Sequence, residues 1–181
     1  MLLVGSLIPL CWLAMQAVHE FGHVLGAFLT GGEVERVVLH PLAISRTDLR
    51  LNPHPLTVIW AGPVIGILLP IAAYVIAFLL RWSGEFLLRF FAGFCLIANG
   101  AYLAGGSVGG IGDAGDLLRE GAAIWQLWLF GLLAIPAGLA AWNGLGMHFG
   151  FGAEPRDVAP SLSYGCLVVL VSIVVIELII S

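Results

Sequence analysis

Residues 2–30, LLVGSLIPLCWLAMQAVHEFGHVLGAFLT, decide the fold class. A helix crosses the hydrocarbon of a bilayer with about 20 apolar residues, and this run exceeds that length. Its histidines and its acidic residue are not scattered. They fall in one pentapeptide, His19-Glu20-Phe21-Gly22-His23, in the second half of the segment. On a helix, histidines four residues apart project from one face and can chelate one metal ion. The glutamate beside them is placed to take a proton from a metal-bound water. Two imidazoles and a carboxylate are costly inside a membrane, and ionisable groups within spans mark functional sites.

The rest of the chain agrees with a membrane setting. Of 181 residues, 60% are hydrophobic and only 10% charged, against about 25% charged in ordinary soluble domains. The mean hydropathy is +1.05. All seven basic residues are arginine and the first is Arg36. The opening segment therefore lacks the basic start of a secretory signal, exceeds its length, and is expected to stay as a span. A net charge of −4 without a basic cluster argues against a nucleic-acid partner. Cys11, Cys95 and Cys166 all fall in apolar segments, where they read as small buried hydrophobes and not as a disulfide framework.

Five segments are long enough to span: residues 2–30, 56–80, 86–104, 122–142 and 162–180. The expected fold is an all-α polytopic membrane protein, one transmembrane domain over residues 1–181. Its catalytic core would be about 1–121, with additional C-terminal helices at about 122–181. The connections are short. The most polar, residues 31–55, holds two strand-like runs at 33–39 and 43–49, which suggest a short interfacial β-hairpin between the first two spans. Residues 105–112 contain five glycines in eight positions and are expected to be unwound. Unwound backbone at membrane depth persists only where protein or a water-filled cavity satisfies it. Such a break would deliver Asp113 toward the pentapeptide. With five spans, both would reach the same side, together with Arg36, Arg46, Arg50 and Arg119. Arg81, Arg89 and Arg156 fall on the other side.

His19 and His23 suit Zn2+ as neutral imidazole ligands, and a catalytic zinc takes a third protein ligand and leaves a position for water. The chain has four aspartates, Asp48, Asp113, Asp116 and Asp157. Asp113 is the first choice for the third ligand. Asp116 is the alternative, with helix capping as its structural role. Glu20 is the candidate general base. Asn99, inside an apolar span, is a candidate for holding a substrate carbonyl or oxyanion; an interhelical hydrogen bond is the other reading. Gly62-Pro63 would bend span two or pack it closely. His40, His54 and His148 read as surface histidines. Residues 146–152 look like an interfacial loop, and Glu177 is expected to reach the interface. The six tryptophans suit interfacial anchoring.

At these residues the chain resembles the site-2 protease family of intramembrane zinc metalloproteases. His19-Glu20-Phe21-Gly22-His23 matches the family's first motif. Ala61-Gly62-Pro63 resembles its A-G-P motif in the following helix. Asn99 followed by Asp113 resembles its Asn…Asp-Gly motif, which supplies the third zinc ligand. Here the pair reads Asp113-Ala114, and glycines replace proline in a longer interval. The resemblance covers roughly the first 120 residues. It implies a minimal protease core that cuts membrane-embedded protein substrates, as in regulated intramembrane proteolysis. It also implies a bacterial cell membrane setting, the active site facing the cytoplasm, and a strand pair that could hold substrate by strand addition. Two other classes stay open: a non-proteolytic metal-binding or transport protein, and a pseudoprotease that binds membrane partners.

Overall fold

The five apolar segments fold as helices, and the polar connection between the first two folds as a hairpin. The computed structural model describes residues 2–151 and 158–180. Gly152, Arg156 and Asp157 lie outside the described residues. The order is α1 (Leu2–Leu29), β1 (Glu33–Val38), β2 (Arg46–Leu51), α2 (Pro55–Leu79), α3 (Glu85–Gly109), α4 (Gly112–Arg119), α5 (Ile124–Trp142), a 3-10 turn (Leu145–Phe149) and α6 (Pro160–Ile180). Among the described residues, α1, α2, α3, α5 and α6 are long and apolar enough to cross a membrane. The protein is an integral multi-pass membrane protein.

Small residues set the packing. Without a hydrophobic force between helices in lipid, association depends on close contact, which favours glycine and alanine at the seams. Gly22 and Gly26, one helical turn apart on α1, face α2. A Cβ on Gly26 would stand 2.7 Å from the Ala61 Cβ and 3.2 Å from the Val58 Cα. The same device joins α3 to α5. A Cβ on Gly131 would stand 2.6 Å from the Ala104 Cβ, and one on Gly138 would stand 2.7 Å from the Gly93 carbonyl oxygen. The helices follow the order α6, α1, α2, α3, α5 by their contacts, with α1 and α3 touching more sparsely. Leu3, Leu7 and Cys11 of α1 nevertheless meet Phe86 and Leu87 of α3 in a buried cluster at one end of the bundle.

The hairpin is antiparallel, with Arg36 opposite Asp48 and Val37 opposite Thr47. Its second strand begins at Arg46, three residues later than the sequence suggests. Ser45 donates its backbone N–H to the Gln16 side chain of α1 (3.1 Å) instead of entering the sheet.

The glycine-rich stretch differs more from expectation. It is not unwound from Gly105: α3 stays helical through Gly109. The break is confined to Gly110, which ends the helix at φ 61°, and Ile111, which is extended. Tertiary contacts outweigh glycine's poor helix propensity here. Ser107 Oγ donates to the Ala104 carbonyl (2.6 Å) and accepts from Trp128 Nε1 of α5 (3.0 Å). A Cβ on Gly106 would stand 3.1 Å from the Ala114 Cβ, so glycine there admits α4 against α3. Leu117 of α4 is buried with Leu103 and Leu127, against Ile59 and Trp60 of α2. This cluster anchors the short helix that carries Asp113.

Glu177, expected at the interface, is 5% exposed, and His40 from the connection between α1 and α2 lies within electrostatic range of it. One peripheral expectation changes. His148 is not a free surface histidine, because its ring stacks on Phe86 at 4.4 Å between centroids.

Candidate active site

The helical period places His19, Glu20 and His23 on the buried side of α1. What surrounds each ring fixes its chemistry. Asn99 of α3 donates its Nδ2 to the Cys95 carbonyl (2.9 Å), which turns its Oδ1 toward His19. His19 Nδ1 donates to that oxygen at 2.7 Å. His23 Nδ1 donates to the Val58 carbonyl of α2 at 2.9 Å. A neutral imidazole carries one ring proton. Both protons are therefore spent on the outer nitrogens, and both Nε2 atoms present lone pairs.

Those lone pairs converge. The two Nε2 atoms are 3.1 Å apart. Asp113 Oδ2 lies 2.7 Å from His19 Nε2 and 3.3 Å from His23 Nε2. Three acceptors facing one another without a hydrogen between them repel unless they share a cation. A tetrahedral zinc with bonds near ~2.0–2.1 Å would hold its ligand atoms about 3.3 Å apart. Among the described residues, His19, His23 and Asp113 form the group able to hold a metal ion, and its donor types suit zinc.

Asp113 reaches this point because α4 starts where it does. Gly112 adopts φ 57°, a conformation natural to glycine, and a Cβ there would overlap the Tyr102 hydroxyl. Asp113 then donates its backbone N–H to that hydroxyl at 3.1 Å. Asp116 is placed differently. It is inside α4, where it pairs with Arg119 on the exposed side. It is not the residue preceding the helix, so the capping role does not apply; Ile111 occupies that position.

Asn99 is 1% exposed and is used on both sides of its amide by the protein. It makes the interhelical hydrogen bond to His19, and it also lines the more apolar of the two cavities beside the site. Gly62 lies directly against the His23 ring, so the A-G-P segment packs on the helix that carries the candidate metal ligands.

Glu20 is 4% exposed. Its Oε1 accepts from Ser45 Oγ (2.8 Å) and its Oε2 from Thr47 Oγ1 (2.7 Å). It borders a cavity of about 580 Å³ lined also by His19, His23, Thr47 and Asp113. A second, more apolar cavity of about 310 Å³ meets it from the side of Trp12, Met15 and Ala98. His40 and His54 take no part in either cavity. Sequence reasoning missed Val58, Ser45, Thr47, Gln16 and Tyr102. Val58 acts through its backbone carbonyl, so its side chain carried no signal. Gln16 did carry one: it is a polar residue one turn before Glu20 in an apolar span.

The protein-family model described as Peptidase M50B-like matches residues 1–102, more than half of the chain. The match spans α1, the hairpin, α2 and α3 as far as Tyr102, and ends before Asp113. No curated protein and no solved structure matches the chain.

Proposed function

The chain belongs to the Peptidase M50B-like family, a site-2 protease family, and from that premise we propose that it is an intramembrane zinc endopeptidase acting on membrane-embedded protein substrates. The observation that carries this reading is the convergence of His19 Nε2, His23 Nε2 and Asp113 Oδ2 with both histidine protons turned outward.

His19, His23 and Asp113 would hold the ion, with Asn99 and the Val58 carbonyl fixing the ring orientations. Such outer partners set the tautomer and basicity of ligating histidines. When bound, zinc would acidify an attacking water and polarise the scissile carbonyl. Glu20 would accept the proton of the attacking water at a carboxylate oxygen and return it to the leaving amine. Its position at the edge of both cavities suits that role. The larger cavity supplies room for water among polar groups, and the smaller offers apolar surface to a membrane-embedded chain. The hairpin, whose Thr47, Asp48 and Leu49 line the larger cavity, offers a strand edge for an extended substrate.

We assign the metal-site end of the bundle to the cytoplasmic side of a bacterial cell membrane. Arg36, Arg46, Arg50 and Arg119 lie at that end, and an arginine excess favours the cytoplasm. The deciding experiment compares wild type with Glu20→Gln for cleavage of a membrane-embedded substrate in liposomes. Zinc content is expected to survive the change while cleavage disappears. Equal cleavage by both proteins would overturn the mechanism.

A further inference from the structure

A carboxylate nine-tenths buried in a spanning helix needs hydrogen-bond donors. The two side-chain donors to Glu20 both come from the hairpin. Ser45 Oγ reaches Oε1 at 2.8 Å and Thr47 Oγ1 reaches Oε2 at 2.7 Å. Each hydroxyl is itself held in place. Ser45 is tied to α1 through its backbone N–H and the Gln16 side chain, at 3.1 Å. Gln16 precedes Glu20 by one helical turn and so lies on the same face. Thr47 is paired in the sheet with Val37. The hairpin thus grips the glutamate at two points, and Gln16 of α1 secures one of them.

The chemistry of this grip is specific. A carboxylate oxygen has about two acceptor sites. One hydroxyl on each oxygen leaves a site on each for the proton of a water in the adjoining cavity. The hydroxyls thereby fix the carboxylate's rotation without consuming its capacity to accept. Serine and threonine are also half-buried rather than core residues, so their hydroxyls contribute little to the packing of the bundle.

We propose that Ser45 and Thr47 are positioning residues for Glu20, and that the seated hairpin holds this glutamate in the orientation hydrolysis requires. The proposal rests on the endopeptidase reading and deepens it: the strand bordering the substrate cavity also aligns the base.

The test uses the full chain in liposomes with a membrane-embedded peptide substrate. Ser45→Ala with Thr47→Val removes both hydroxyls at nearly constant volume. The double variant is expected to lose roughly tenfold or more in kcat, part of the ~10²–10⁴-fold that a positioned general base supplies, with KM and zinc stoichiometry close to wild type and a lowered Tm, because the buried carboxylate loses both donors. Ser45→Thr with Thr47→Ser keeps both hydroxyls and is expected to bring kcat back toward wild type. The infrared band of the Glu20 carboxylate, identified by subtracting the Glu20→Gln spectrum, should shift in the first pair and not in the second. An unshifted band overturns the grip whatever the activity. A wild-type kcat in the hydroxyl-free variant, a change confined to KM, or equal damage in both variants overturns the positioning role. Glu20→Gln separates the two levels. If it still cleaves, the endopeptidase mechanism fails; if it is inactive while the hydroxyl-free variant has wild-type kcat, only the positioning proposal fails.

Discussion

His23 and Gly62 are in direct contact: the imidazole occupies the space that a Cβ on residue 62 would need. This contact explains why a glycine stands two turns into α2 beside Ala61 and Pro63. It lets α2 come close enough for the Val58 carbonyl to accept from His23 Nδ1 at 2.9 Å. The A-G-P segment is thus the seat of a candidate metal ligand.

Gly62→Ala is therefore expected to push the His23 ring or the two helices apart. Overpacking of this kind costs about 1–3 kcal/mol, and losing an outer partner typically weakens metal binding ~10–100-fold. Zinc competition titrations should show the affinity loss. Gly5→Ala, at a glycine with open space around it, should show neither effect.

Asp113→Ala should abolish stoichiometric zinc in the purified protein. Asp116→Ala should leave zinc content unchanged, because Asp116 is engaged with Arg119. Metal analysis of both variants by mass spectrometry checks the assignment. Loss of zinc only in the Asp116 variant would reverse it.

Asn99→Ala removes the acceptor for His19 Nδ1 and frees that ring to change tautomer. Zinc affinity should fall ~10–100-fold, while KM for substrate in zinc-saturated protein stays unchanged. Asn99→Asp retains an acceptor oxygen and should keep most of the affinity. A rise in KM with normal zinc affinity would return Asn99 to the substrate side.

In the hairpin, the Arg36 hydrogen bond, with help from Arg46, holds the Asp48 carboxyl below its ordinary value of 3.8. A depressed carboxyl contributes its pairing fully above the unfolded value and loses it as pH falls through the folded one. The Asp48 resonance should therefore titrate below pH 3.8. Asp48→Asn should loosen amide protection in Glu33–Val38 and Arg46–Leu51 at neutral pH without lowering the Tm of the helical bundle. Hydrogen exchange with a parallel melting curve reads both.

Sequence alone determined the spans and brought His19, Glu20 and His23 onto one helix. Hydrophobic runs of bilayer length can only be helices in lipid, because every backbone group must be satisfied within the segment. The four-residue spacing of His19 and His23 is a local property of one helix. The family resemblance was carried by contiguous motifs, and the match over residues 1–102 agrees with it. Tertiary structure decided what depends on distant elements. Glycine propensity argued for unwinding from Gly105, but packing against α4 and α5 kept the helix to Gly109. That Asn99 is held by His19 and Cys95 became visible only once α1 and α3 were packed together. The hydroxyls of Ser45 and Thr47 gained significance only when the hairpin folded back onto Glu20, because a hydrogen bond between residues more than twenty positions apart leaves no periodic trace in the chain.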